Sequence, residues 1–358
     1  MILLKYILFM FNCCRIALHG LCFYEDKIVL CCYSPNEQIN GGSAPLLFDN
    51  YKGEIIPKDL LFARMKSYSE RIKNGDIPHE CNRCFQIKYA DWDESEYIDF
   101  IILTHYSRCN LNCIYCSNNL DCTERTNDNY SVLPFLKYLK SEGILKEDFE
   151  LHIGGGEYTI YRECEQILDE FGTDGNVKIY VPTNAVKYSP KLYESIKSGN
   201  TYIIVSLDCG TKDTFYKIKR ADVFDRVIGN LKKYASANPD KIAMKYIIIP
   251  GFNDSLNEFK KFLGVCSEIK VKNIRIDFEC RYLRKVNYNI NPYYFYLAEK
   301  MKNTAEKQGF LTEYYSFAEQ VLKDGIPEKN IKKLIEYIKI KYFHVLEKEL
   351  YTSQKYYT

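Results

Sequence analysis

The residues Cys109-Asn110-Leu111-Asn112-Cys113-Ile114-Tyr115-Cys116 put three thiols on one short stretch with the spacing CxxxCxxC. Each can offer a thiolate to the same inorganic centre, and together they leave one coordination position without a protein ligand. A structural zinc site is normally closed by four ligands, whereas an iron-sulfur cluster on three cysteines keeps one iron open to bind something else. The spacing alone also suits a zinc site completed by a distant Cys or His, or unliganded core thiols. A thiol pair, Cys81-Asn82-Arg83-Cys84, is half of a tetrathiolate site whose other half must come from earlier cysteines. The turn Gly154-Gly155-Gly156-Glu157 is a further candidate. Successive glycines let the backbone approach a ligand closely, and the amides that open the next helix suit an anionic group. Glu157 can accept a hydrogen bond from a ligand ammonium. Standing alone, such a turn is equally an ordinary tight loop.

These stretches need a frame. From Tyr97 onward apolar runs at 98–103, 149–153, 177–181, 202–207, 243–249 and 273–278 alternate with helical stretches near 132–142, 160–171, 190–198, 222–236 and 254–268. Strands alternating with helices demand a parallel sheet with right-handed crossovers. The unit length fits a barrel-like arrangement, in which working residues sit at the C-terminal ends of strands. The cysteine loop follows the first strand and the glycine turn the second. Pro182-Thr183-Asn184 follows the third, Ser206-Leu207-Asp208 ends the fourth, and Pro250-Gly251-Phe252-Asn253 follows the fifth. Asn184, Ser206 and Asp208 are therefore ligand candidates, with helix caps as the other reading. Arg220 carries a forked guanidinium suited to a carboxylate, and a solvated basic helix end explains it as well.

Residues 1–96 lack this alternation. They hold Cys13, Cys14, Cys22, Cys31 and Cys32, a turn-rich stretch at 34–45, and a helical stretch over 58–73 that starts after Pro57 and stops at Asn74-Gly75. Residues 291–358 carry the aromatic run Tyr293-Tyr294-Phe295-Tyr296 and helical stretches near 293–307 and 328–349, read as packing. The expected division is 1–96, 97–290 and 291–358.

In 358 residues, 49 Lys and Arg stand against 47 Asp and Glu, a net charge of +2, so no global field favours nucleic acid or an anionic membrane. The 15 cysteines are clustered rather than spread as in a secreted disulfide scaffold, which points to metal or redox chemistry in a reducing compartment. Met1–Phe11 is apolar but broken by Lys5 and shorter than the roughly 20 residues that span a bilayer. A buried first strand and a cytoplasmic protein are expected. Cys122, Cys164, Cys209, Cys266 and Cys280 read as buried small hydrophobes, although Cys209 and Cys280 fall at strand ends, where a substrate-side role is open.

The three-cysteine loop with an aromatic, Tyr115, before its last Cys, followed one strand later by the glycine-rich turn and Glu157, resembles the radical S-adenosylmethionine (SAM) enzymes. The resemblance implies an α/β fold, a partial (β/α)6 TIM-like barrel with an N-terminal cysteine-rich module and a C-terminal helical extension. It implies a 4Fe-4S cluster on Cys109, Cys113 and Cys116, whose open iron chelates the amino and carboxylate groups of SAM. Tyr115, Gly154, Gly155, Gly156, Glu157, Asn184, Ser206, Asp208 and Arg220 would line the SAM site, Arg220 facing the carboxylate. The N-terminal part resembles the auxiliary-cluster module of SPASM-type relatives, although it precedes the barrel where theirs follows. That implies a second 4Fe-4S cluster, or a zinc ion, on Cys14, Cys31, Cys81 and Cys84, with Cys13, Cys22 and Cys32 as competitors. The activity so implied needs a one-electron donor such as ferredoxin or flavodoxin. SAM is cleaved to a 5′-deoxyadenosyl radical, which takes hydrogen from a substrate, by analogy a peptide or protein. The rival is a zinc-binding or redox-sensing protein without catalysis.

Overall fold

The computed structural model describes residues 10–31, 45–81, 87–91, 95–116, 130–279 and 292–314. It falls into two compact units. The first comprises Met1–Asn112, Asn118–Ile204 and Ser236–Lys241, the second Cys113–Ser117, Val205–Ala235 and Ile242–Thr358.

In the first unit β1 (Met10–Cys13) pairs antiparallel with β5 (Lys88–Asp91). The main sheet carries β2 (Gly20–Phe23), β3 (Ile28–Val29), β4 (Leu46–Phe48), β6 (Ile98–Leu103), β7 (Leu145–Ile153), β8 (Lys178–Pro182) and β9 (Thr201–Ser206). The strands β2, β6, β7, β8 and β9 pair in that order, all parallel, and β3 and β4 add antiparallel beyond β2. Helices α1 (Arg15–His19), α2 (Lys58–Lys73), α3 (Leu133–Ser141), α4 (Cys164–Phe171) and α5 (Pro190–Lys197) connect them. β6 is buried along nearly its whole length, the mark of a strand covered on both faces of a parallel sheet. Across β6 to β9 the half-buried rings of Phe100, His152, Tyr180 and Tyr202 form a ladder with centroids 4.7, 4.4 and 5.2 Å apart.

Two differences from the sequence reading have clear causes. Residues 145–148 extend β7 beyond the expected 149–153, and their exposed Lys146, Glu147 and Asp148 give no apolar signal. The fully buried Gly20–Phe23 forms a strand parallel to β6, upstream of the alternating run that begins at 97.

The second unit contains α6 (Lys212–Lys219), α7 (Phe224–Ala237, its last residues counted with the first unit), β10 (Ile242–Ile248), α8 (Leu256–Ile269), β11 (Asn273–Phe278), α9 (Pro292–Lys307) and β12 (Leu311–Tyr314). β10, β11 and β12 pair parallel in sequence order. The Thr211 and Ser255 hydroxyls accept from the amides of Thr214 and Glu258, capping α6 and α8. The sequence reading gave no helix at 212–219, which is short, strongly charged, and buries only Phe215, Ile218 and Lys219. It also expected only helix after residue 291. β12 instead continues the alternation, and its short, alternately exposed edge carries no apolar run. The helical stretch expected at 328–349 lies outside the described residues.

The fold is thus mixed α/β with a parallel sheet, the class expected. Among the described residues no helix is long and apolar enough to cross a membrane.

Candidate active site

In the first unit the chain leaves β6 and runs to Cys109 alongside the glycine turn that leaves β7. Main-chain hydrogen bonds join the two, from Gly154 N to Leu103 O (2.7 Å), Gly156 N to Tyr106 O (3.0 Å) and Glu157 N to Arg108 O (2.9 Å). Gly155 has φ +82°, and a Cβ there would stand 2.2 Å from Tyr106 O; one on Gly156 would stand 2.1 Å from Arg108 O. These two glycines permit a close approach to the chain's own backbone.

Glu157 is buried, with Oε1 accepting from Thr159 N (3.2 Å), Thr159 Oγ1 (2.6 Å) and Thr183 Oγ1 (2.6 Å), and Oε2 from Asn184 N (2.6 Å). Burial pushes its carboxyl above the ordinary value, against the pull of these donors. The bonds tie the end of β7 to the end of β8, and Oε2 keeps a lone pair unused by them. Asn184 continues the connection, its Nδ2 donating to Asn110 Oδ1 (2.7 Å) and reaching Cys109 Sγ at 3.6 Å. Leu111 N also points at Cys109 Sγ, 3.5 Å away. Cys109, the glycine turn, Glu157 and Asn184 thus form one hydrogen-bonded assembly.

Behind it lies a buried polar cluster that the sequence reading passed over. The Tyr161 hydroxyl donates to Glu163 (2.8 Å), so the contact of His105 Nε2 with that hydroxyl (2.9 Å) assigns the proton to Nε2. Among the described residues His105 Nδ1, which is buried, has no hydrogen-bond partner. Protonation would put a bare N–H there, and burial, helped by Arg162, lowers the His105 pKa to about 4.

In the second unit the rest of the cysteine loop docks on α6. Ile114 N bonds to Ile218 O (2.9 Å), and Ile114 and Tyr115 pack against Ile218, Ile247 and Ile249. The Tyr115 hydroxyl donates to Asp208 Oδ2 (2.6 Å) and accepts from Lys219 Nζ (2.6 Å). Lys219 Nζ also donates to Ser206 O (2.6 Å) and to Asp208 Oδ2. An ammonium has three N–H groups, and all are used. Lys219 is 2 % exposed and Asp208 0 %. Burial would depress the Lys219 ammonium, yet Asp208 outweighs it and the pKa is raised; burial and then Asp208 push the Tyr115 phenol up as well. Asp208 itself has φ +64°, with Oδ1 accepting from Ile247 N (2.8 Å) and its carbonyl from Asn253 Nδ2 (2.7 Å).

The buried cation is therefore Lys219, whereas Arg220, singled out in the sequence, is exposed and closes α6 with φ 56°. One signal in the sequence could have separated them: Phe215, Ile218 and Lys219 share one face of a helical repeat, and Arg220 does not. Ser206 is half-buried. Cys209 is fully buried, burial drives its thiol up, and its Sγ meets Leu207 O, so no substrate-side role is found for it. Cys280 and Cys122 lie outside the described residues, as do Cys84 and Cys32. Cys14, Cys31 and Cys81 are buried.

Among the described residues no three His, Cys, Asp or Glu side chains form a group that could hold a metal ion. No step is derived through a second centre in the N-terminal part. Cys109, Cys113 and Cys116 are half-buried; by chemistry they are soft thiol donors of the kind that hold iron-sulfur clusters, and N–H donors face the Cys109 sulfur.

A GTP 3′,8-cyclase of Clostridium botulinum is 24 % identical over 176 residues, 49 % of this chain and 54 % of the relative. One from Listeria welshimeri is 28 % identical over 187 residues, 50 % and 53 % of the two chains. The chain thus spans about half the length of these curated relatives. Among solved structures, Streptococcus suis SuiB bound to precursor peptide SuiA aligns at TM-score 0.48 and 13 % identity over 71 % of this chain and 62 % of that one. The anSMEcpe protein with bound AdoMet aligns at TM-score 0.45 and 14 % identity, covering 62 % and 65 %. Residues 103–263, from the end of β6 into α8, match the family model described as Radical SAM superfamily.

Proposed function

We propose that the chain is a radical SAM enzyme acting on a peptide or protein, with a 4Fe-4S cluster on Cys109, Cys113 and Cys116 and a one-electron donor of the ferredoxin or flavodoxin kind, in the cytoplasm. When bound, the reduced cluster and SAM supply a 5′-deoxyadenosyl radical that takes a hydrogen atom from a substrate carbon. The observation that carries the reading is the hydrogen-bonded assembly of Cys109, the glycine turn, Glu157 and Asn184 inside the stretch matched by the family model.

In this reading Asn184 steadies the Cys109 side of the loop, and Gly154, Gly155 and Gly156 hold the turn against it. Glu157 fixes the strand ends and keeps one Oε2 lone pair for the SAM ammonium. The half-buried Ser206 faces SAM, Tyr115 and Asp208 hold the Cys113–Cys116 part of the loop, and the exposed Arg220 supplies a guanidinium for the SAM carboxylate. The proposed auxiliary 4Fe-4S cluster, or zinc ion, on Cys14, Cys31, Cys81 and Cys84 rests on the sequence resemblance. The peptide substrate rests on that resemblance too.

Anaerobic reconstitution tests the reading. Iron and acid-labile sulfide should bind, a strong reductant should then convert SAM to methionine and 5′-deoxyadenosine, and alanine at Cys109, Cys113 or Cys116 should abolish this. Zinc without sulfide and no 5′-deoxyadenosine would sink it in favour of a zinc-binding protein.

A further inference from the structure

The Tyr115, Asp208 and Lys219 side chains form a closed set that the proposed function does not require for ligating iron or SAM. Tyr115 is next to Cys116 in the loop, and its hydroxyl sits between the two opposite charges, donating to Asp208 and accepting from Lys219. The Lys219 ammonium also lies 4.8 Å from the centroid of the Tyr115 ring. With Ser206 O taking the third N–H, the ammonium has no donor left to turn elsewhere. Both charges are almost wholly out of water, where fields from fixed charges are little screened.

An ion pair this deeply buried is poor economy if stability is its only use, because apolar residues of the same volume often do as well. What an apolar set cannot do is place a charge of fixed sign beside the thiolates. Another ion pair of this unit, Lys245 with Asp277 at 2.9 Å, bridges β10 and β11.

We propose that Lys219 and Asp208 are positioning residues for the Cys113–Cys116 part of the loop, and that the balance of their charges, held against the loop by Tyr115, sets the reduction potential of the centre it carries. The inference rests on the iron-sulfur reading of the proposed function. A one-electron reduction adds negative charge to an already anionic centre. The buried ammonium favours the reduced form and the buried carboxylate opposes it. Removing either partner unbalances the pair, and the two removals act with opposite signs.

The test is a dye-mediated redox titration, read by electron paramagnetic resonance, on the anaerobically reconstituted full chain. Lys219→Met leaves Asp208 uncompensated and should make the centre harder to reduce, by on the order of tenfold in the reduced-to-oxidised ratio at a fixed applied potential. Asp208→Asn leaves Lys219 uncompensated and should shift that ratio by a similar factor the other way. The double variant K219M/D208N should return to within about threefold of the parent. Tyr115→Phe keeps both charges and should move the ratio less than either single change. Should one single variant not fold, the sign of the other measured against the double variant decides. Single variants that shift together, as general loosening of the loop would make them, overturn the proposal, and so does a ratio that stays put in all four proteins. If the parent chain takes up no iron and sulfide, the proposed function itself has failed, which is a different result from clusters present with potentials unmoved.

Discussion

His105 gives the first unit a defined acid sensitivity. Its pKa falls from 6.5 to about 4 on folding, so between those values the unfolded chain binds the extra proton and the folded chain does not. The contribution is fully present above pH 6.5 and is lost as pH falls toward 4, on the order of 3 kcal/mol over that window. Denaturant unfolding measured from pH 7 to 4 should show this slope, and His105→Asn should flatten it. The glycine turn makes a second residue-scale prediction. Gly156→Ala drives a methyl into Arg108 O, and Gly155→Ala adds a disfavoured φ to a clash with Tyr106 O. Either should cost about 3 kcal/mol of unfolding free energy, measured by urea denaturation. These two positions also mark where the sequence was read by type and not by partner. A run of glycines announces close approach, but which chain or ligand approaches is decided by residues 104–108, fifty positions upstream, and nothing local to the turn records that.

At the scale of elements, strands with continuous apolar runs were legible almost to the residue: 98–103 and 273–278 match β6 and β11. The pieces that went unread bury little. α6 hides only Phe215, Ile218 and Lys219 in eight residues, and β12 alternates exposed and half-buried positions. Yet α6 is the element on which Ile114 and Tyr115 of the cysteine loop rest, so the support of that loop was illegible where its cysteine spacing was plain. Because a single basic residue in Lys217-Ile218-Lys219-Arg220 can be buried, and helical phase selects Lys219, Arg220 is left to end the helix in the left-handed region. Arg220→Gly relieves that conformation and should raise stability by about 1 kcal/mol, seen as a higher melting temperature of the metal-free protein.

For the molecule as a whole, the alternation of apolar runs with helical stretches gave the right class of fold, and β2 lies outside that alternation. Strand-helix alternation starts at residue 97, whereas β2 is only Gly20–Phe23 and is separated from β6 by more than seventy residues. Its Leu21, Cys22 and Phe23 are 0 % exposed, and Thr104 bonds back to Phe23 O through both its amide and its hydroxyl at 2.8 Å. A fragment of residues 97–290 therefore loses a buried neighbour along β6 and exposes an unpaired edge. It should be recovered mainly as aggregate where the full chain is soluble, by sedimentation of matched lysates. The clasp between the glycine turn and residues 104–108 has a wider bearing. It is made of peptide groups, so codons for Arg108, whose side chain is exposed, can drift freely without loosening it. Saturation mutagenesis should show one permissive column at 108 and two forbidden ones at 155 and 156.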